Sequence, residues 1–227
     1  MPTYLDLAEY LRGKDVAMVG PAPNLVGTGL GPEIDNYDVV CRVNNSFIIN
    51  EEMEPDYGTR RDILFNSGSD LGIAILKSVF EQWQSTKYIM LPGIHQHHTP
   101  EHLTVLEGIQ LANMNNIPVF QPNQEWFLAW QAKIDSEKKW NFLNTGLSSI
   151  RLLLEFEINS LTIYGFTFYK GGRGYVQHQD DVIRKIAEEN PLNGMHYEPS
   201  GKSHQQHKQK RFFAAHIESD PRIIFVE

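Results

Sequence analysis

Two stretches of this chain each pair an apolar strand with a turn that exposes backbone amides and an Asn or Thr side chain. The first turn follows the apolar run 15–19 as Gly20-Pro21-Ala22-Pro23-Asn24. Glycine permits a tight exit, while the prolines stiffen the loop and remove backbone donors. Asn24 can offer its amide to a base, a ribose or a phosphate, or bond its own backbone as turn asparagines do. The second turn is Asn144-Thr145-Gly146-Leu147-Ser148-Ser149. Asn144 suits a helix N-cap, and the unpaired amides of a helix start attract anions; read alone, the segment is a plain capped helix before it is a phosphate site. Two such turns at one sheet edge make a nucleotide site. They do not make a dinucleotide fingerprint, because Gly27-Thr28-Gly29-Leu30-Gly31 comes too late after the strand and lacks the spacing.

Histidines supply the second kind of chemistry. His196-Tyr197-Glu198 is followed by His204, with His207 one helical turn further on. An imidazole with an unperturbed pKa of about 6.5 suits a general base near neutral pH, a role worth roughly 10²–10⁴-fold in rate. A second group, His95, His97, His98 and His102, has one helical i, i+4 pair. Pro100 interrupts that pair, and Glu101 or Glu107 would have to complete a zinc set that normally needs three or four organised ligands. The group reads as a polar loop at the sheet edge. The chain also has no Asp-x-Asp sequence, the arrangement that holds a divalent ion on a sugar-nucleotide diphosphate. No metal and no cofactor is expected.

These residues must be positioned by an α/β framework. Strand-like runs recur at 15–19, 38–43, 62–66, 88–91, 117–120, 161–165 and 222–226, several of them continuous Val/Ile/Leu. Such runs fit strands buried on both faces of a parallel sheet. Helical patterns fall at Tyr4 to Arg12 and at 70–84, 100–115, 124–138, 146–157, 178–189 and 204–217. The alternation predicts a doubly wound sheet of about seven strands, mostly parallel, with helices on both faces and ligands beyond the strand carboxyl ends. The irregular stretches 20–37, 92–99, 167–177 and 190–203 would then build the site.

Composition bounds the rest. A chain of 227 residues fits a single domain spanning 1–227, and 41% hydrophobic with 21% charged residues is ordinary for a globular fold. No apolar run approaches the roughly 18–20 residues that span a bilayer, and the first residues lack a signal-peptide pattern. Cys41 is the one cysteine, so no intrachain disulfide forms and a reducing, cytoplasmic location is expected. A net charge of −8 argues against a nucleic-acid surface. Yet 199–217 holds no acid while carrying Lys202, Lys208, Lys210 and Arg211: a solvated helix face, or the rim of an anion pocket. Trp83, Trp126, Trp130 and Trp140 offer a sugar platform or helix packing. Oligomeric state is not legible.

The motifs resemble those of the eukaryotic-type sialyltransferase family. Gly20 to Leu25, Gly31-Pro32-Glu33-Ile34-Asp35, Asp38-Val39-Val40 and Arg42-Val43-Asn44 are similar to its long sialyl motif, with Pro21 where the family has asparagine. Asn144-Thr145-Gly146 and Tyr164-Gly165-Phe166 resemble the short motif. The resemblance implies a single Rossmann-like glycosyltransferase domain, a GT-A-like variant, using a CMP-sugar. It implies that Asn24 and Asn44 contact the donor nucleotide and its phosphate, that Asn144, Thr145 and Gly146 hold the nucleotide, and that Phe166 lines the sugar pocket. Secretory members join the two motifs by a disulfide; the matching positions here are Val16 and Ile158. Of the two carboxyl-terminal motifs, His204 matches the family's base, and Gln209 stands where the family has its glutamate. His196 and Tyr197, helped by Lys202, would support the departing phosphate.

The implied reaction is inverting and metal-independent, moving sialic acid or the related Kdo from a CMP donor to a glycan hydroxyl. The bacterial sialyltransferases are a second resemblance that keeps the donor class. A nucleotide-binding module without transferase activity is the rival, motivated by Pro21 and Gln209. A zinc hydrolase at the histidine group is a third.

Overall fold

The seven apolar runs form seven strands: β1 (Asp15–Val19), β2 (Val39–Val43), β3 (Ile63–Phe65), β4 (Tyr88–Met90), β5 (Val119–Phe120), β6 (Ser160–Tyr164) and β7 (Ile223–Phe225). The structure, a computed structural model, describes residues 3–92, 116–134, 143–168, 175–189 and 206–226. Every strand pair is parallel, in the order β5-β4-β3-β2-β1-β6-β7. The expected parallel sheet is thus borne out, with no antiparallel pair among the described residues. The chain walks outward from β1 to β5, then returns to lay β6 on the other side of β1. That reversal is the topological switch point, where an open α/β sheet leaves a crevice beyond its strand carboxyl ends.

Alternation along the central strands divides the core into two layers. Val16 and Met18 of β1 join one buried cluster, while Ala17 and Val19 join another. On the first face pack helices α1 (Tyr4–Leu11), α6 (Thr145–Leu153) and α8 (Gln206–His216), through Leu7, Leu11, Leu147, Ile150, Phe212 and Phe213. On the opposite face lie α2 (Gly31–Asp35), α3 (Glu54–Tyr57), α4 (Asp70–Ser78) and α7 (Gln177–Glu189), with Ile34, Tyr57, Leu76 and Ile183 buried among strand residues. Among the described residues the remaining α-helix is α5 (Gln124–Gln131), started by the Asn123 side chain accepting from Trp126 N. Val16 and Ile158, the positions that the resemblance matches to a disulfide, are both buried and belong to one apolar cluster. Cys41 is buried and forms no disulfide.

Three elements depart from the sequence reading. The stretch 20–37 is not irregular throughout: it holds a 3₁₀ turn, Pro23–Leu25, and α2. Pro32 lies in the first turn of α2, where its missing N–H costs nothing. Gly31 lets that helix touch α3, since a Cβ there would lie 2.2 Å from the Glu54 carbonyl oxygen. The pattern over 70–84 breaks at Ser78 and resumes as a 3₁₀ turn, Phe80–Gln82. The cause is Trp83, fully buried, with its indole N–H donating to Leu76 O at 2.8 Å. In 124–138 the helix gives way to a 3₁₀ turn, Ala132–Ile134. The patterns at 100–115 and the end of 124–138 lie outside the described residues. Among the described residues, no helix is long and apolar enough to cross a membrane.

Candidate functional site

Three strand exits meet at the switch point. Gly20 N donates to Tyr164 O at 2.8 Å and Ala22 N to Gly165 O at 3.1 Å, so the turn after β1 is stitched to the turn after β6. The turn after β2 is held from beneath. Ser46, fully buried, accepts from Val43 N at 2.9 Å and donates to Val19 O at 2.8 Å. Arg42, also fully buried, donates to the carbonyls of Ser46, Tyr57, Gly58 and Arg60. Burial pulls its pKa down, with Arg61 adding to the effect. Four carbonyl dipoles supply the compensation that a buried guanidinium requires. The clamp fixes Asn44 at φ 49°, a left-handed conformation that asparagine tolerates better than most residues.

The helix start works as the sequence predicts. Asn144 Oδ1 accepts from Leu147 N at 2.8 Å, capping α6. That oxygen is committed to the cap, which leaves the amides of the first turn and the Thr145 side chain as the polar groups available to a ligand here. Phe166 closes the floor between turns. A Cβ on Gly20 would lie 2.7 Å from the Phe166 ring, and one on Gly146 would lie 2.6 Å from it.

These parts surround one cavity, lined among others by Pro21, Asn44, Asn144, Thr145, Gly146 and Phe166. Its lining among the described residues carries no charged side chain. A second cavity of about 640 Å³ shares Phe166, Thr167 and Phe168 with the first and adds Asn24, Lys210, Phe213 and Phe225. Its aromatic wall is ordered: the Phe168 ring stacks on Phe225 at 6.0 Å and meets Phe213 edge-on at 5.2 Å. Two oxygens near these spaces have no hydrogen-bond partner among the described residues, Asn24 Oδ1 and Asn44 Oδ1. A buried amide oxygen without a donor is costly, and a ligand hydroxyl or base amine would satisfy it.

Asn44, Asn144, Thr145, Gly146 and Phe166 therefore converge on one cavity, with Asn24 on the adjoining one. His196, Tyr197, Lys202 and His204 lie outside the described residues, as do the histidines at 95, 97, 98 and 102. His207 is exposed at the start of α8. Gln209 is 2% exposed, and its Oε1 accepts from Asn144 N at 3.2 Å. Of the tryptophans, Trp83 is core, and Trp130 has Lys133 Nζ 4.0 Å and Arg151 Cζ 4.1 Å from its ring centroid.

The sequence reading missed Tyr175, which lines the first cavity and hydrogen-bonds the Asn45 side chain. Burial pushes its pKa up to about 12, so the phenol stays protonated and can donate to an anion. The segment around it has no strand or helix pattern, and no sequence signal singled it out. Other motif residues turn out to brace the site. Glu33 accepts from the Tyr164 hydroxyl at 2.5 Å, joining the first motif to the second. Asp35 accepts from Thr59 N and Arg60 N.

Polar turns converging at the switch point of a parallel α/β sheet occupy the place where open α/β folds bind ligands. The model of glycosyltransferase family 29 (sialyltransferase) matches residues 9–198, and the chain belongs to that family. Its fold is similar to the sialyltransferase CstII from Campylobacter jejuni, solved with cytidine-5'-monophosphate, at 16% identity and TM-score 0.50 over 78% of this chain and 75% of that one. It is also similar to a mammalian sialyltransferase solved with Gal-beta-1-3GalNAc-ortho-nitrophenol, at 17% identity and TM-score 0.51 over 85% of this chain and 73% of that one. Comparison with curated proteins returns no match.

Proposed function

We propose that the chain transfers an acidic sugar, sialic acid or Kdo, from its CMP derivative to a glycan hydroxyl, with inversion and without a metal. The observation that carries the reading is the convergence of Asn44, Asn144, Thr145 and Gly146 on one cavity at the switch point of a family 29 fold. The start of α6 favours the single phosphate of a CMP-sugar. The adjoining aromatic cavity, within the usual size range of ligand pockets, takes the base.

In the proposed step His204 accepts the proton of the acceptor hydroxyl while that oxygen bonds the anomeric carbon. The bond from that carbon to the phosphate oxygen breaks, and CMP leaves with its electron pair. His196, Tyr197 and Lys202 stabilise the charge that develops on the phosphate, where fixed donors act most strongly. A protonated Tyr175 is placed to add one more donor.

The test is release of CMP from CMP-sialic acid and from CMP-Kdo, with and without glycan acceptors and a chelator. Wild type should turn over one donor in chelator, and His204→Ala should lose roughly 10²–10⁴-fold. CMP binding without turnover of either donor across acceptors would favour the binding module. Activity lost to chelator and restored by zinc would favour a metal enzyme.

A further inference from the structure

We infer that Gln209 is a positioning residue for the nucleotide, acting through the backbone amide of Asn144; the inference rests on the CMP-sugar reading above. Gln209 lies on α8 and is 2% exposed, 65 positions along the chain from the amide it meets. A backbone N–H only donates, so the side-chain oxygen is the end that faces it, at 3.2 Å. Asn144 is the residue whose own Oδ1 caps α6, and Thr145 and Gly146 follow it into the cavity lining. The bond therefore fixes the N-cap residue from its outer side, while the cap fixes it from the helix side. Together they set where the first-turn amides of α6 point.

The same geometry explains why glutamine serves at this position. The partner is a main-chain donor, which requires an acceptor and not a charge. An amide oxygen provides that acceptor, as a carboxylate oxygen in the same place would. The link also makes α8 and the start of α6 one unit. Phe212 and Phe213, on the same helix as Gln209, are buried in the cluster that holds Leu147 and Ile150 of α6. Displacing the amide at 144 would thus move the nucleotide turn relative to the helix that follows the candidate base.

The experiment compares wild type, Gln209→Met and Gln209→Glu. Methionine keeps the volume and removes the acceptor; glutamate restores it. Each variant is checked for folding by thermal melting, then read out by CMP affinity and by hydrogen exchange at the Asn144 amide. Gln209→Met should bind CMP about tenfold more weakly, the scale of one lost hydrogen bond, and should exchange the Asn144 amide faster. Gln209→Glu should bring affinity within about threefold of wild type and restore protection, because the acceptor returns. A merely structural role predicts a lower melting temperature in Gln209→Met with unchanged CMP affinity, and that result overturns the inference. So does a Gln209→Glu variant that binds no better than Gln209→Met. A wild-type protein blind to CMP overturns the functional reading, and the role assigned to Gln209 with it; normal wild-type binding with an indifferent Gln209→Met overturns the role alone.

Discussion

The ring of Phe166 stands where a side chain on Gly146 would have to be: a Cβ at that position would lie only 2.6 Å from Cε1 of the ring. The same ring would lie 2.7 Å from a Cβ on Gly20, so one aromatic residue sets the gap between the two polar turns. Gly146→Ala should therefore destabilise by about 1–3 kcal/mol, the usual cost of overpacking. Gly20→Ala should cost more, because its Cβ also meets the Gly165 carbonyl oxygen at 2.4 Å, and Ala22 N holds that carbonyl. Phe166→Leu should relieve Gly146→Ala in a double-mutant cycle read by urea unfolding. Strict additivity of the two changes would mean the ring is not the obstacle.

Asn44 combines two separable contributions, a left-handed backbone at φ 49° and an amide oxygen with no partner among the described residues. Asn44→Gly keeps the backbone and removes the amide, whereas Asn44→Ala also adds roughly 1–2 kcal/mol of left-handed strain. Both variants should lose CMP affinity, while alanine alone should lower the melting temperature clearly. Calorimetric binding and melting of the pair check this. Full CMP affinity in Asn44→Gly would remove the side chain from the proposed nucleotide site.

Much of the framework was legible because it rests on local chemistry. Continuous apolar runs marked the parallel strands, and Asn144 followed by an apolar face marked the capped start of α6. Val16 and Ile158 were readable as packing partners because two apolar residues replace a bond that needs cysteines. What sequence could not show depends on contacts across long separations. Gly27 N and Gly29 N both donate to the Asp56 carboxylate, which orders a loop that looked irregular. Gly31 and Asp35 belong to the resembled motif, yet they brace α3 and the 58–60 turn instead of facing the cavity. Tyr175 reaches the site from a segment with no periodicity, so only its placement reveals it.

Arg42 is the hidden support of the site. Removing its donors leaves the carbonyls of Ser46, Tyr57, Gly58 and Arg60 short of partners in a buried place. Arg42→Met should destabilise by about 3 kcal/mol, given roughly 1–3 kcal/mol for each buried group left unsatisfied and some relief from losing the buried charge. Arg42→Lys should fall between, because an ammonium offers three donors without the planar fork. Chemical denaturation measures both. Stability equal to wild type in Arg42→Met would show that water or relaxation replaces the clamp at no cost.

Acid should loosen the sheet at two identifiable carboxylates. Asp15 Oδ1 accepts from Ser160 Oγ and Asn159 Nδ2, both at 2.6 Å, tying the start of β1 to that of β6. These bonds hold its pKa below the ordinary carboxylate value, the serine contributing most, against a small opposing push from desolvation. Asp220 is held low chiefly by the Arg222 side chain, which also donates to Leu154 O and Phe156 O. A carboxylate whose folded pKa lies below its unfolded one leaves the unfolded chain binding more protons between the two values. Stability from both residues is therefore complete above the unfolded pKa of about 3.9 and fades as pH falls through the folded value. Both groups remain partly exposed, so the effect is modest and screened. Asp15→Ala and Asp220→Ala should each lie below wild type at about pH 6 and converge on it as pH falls through the depressed folded pKa values, giving shallower acid slopes in urea unfolding. High salt should narrow the Asp220 difference more, since its partner is charged and those of Asp15 are neutral. An Asp15→Ala variant with the full wild-type slope would mean that the bonds to Ser160 and Asn159 persist as well in the unfolded chain as in the sheet.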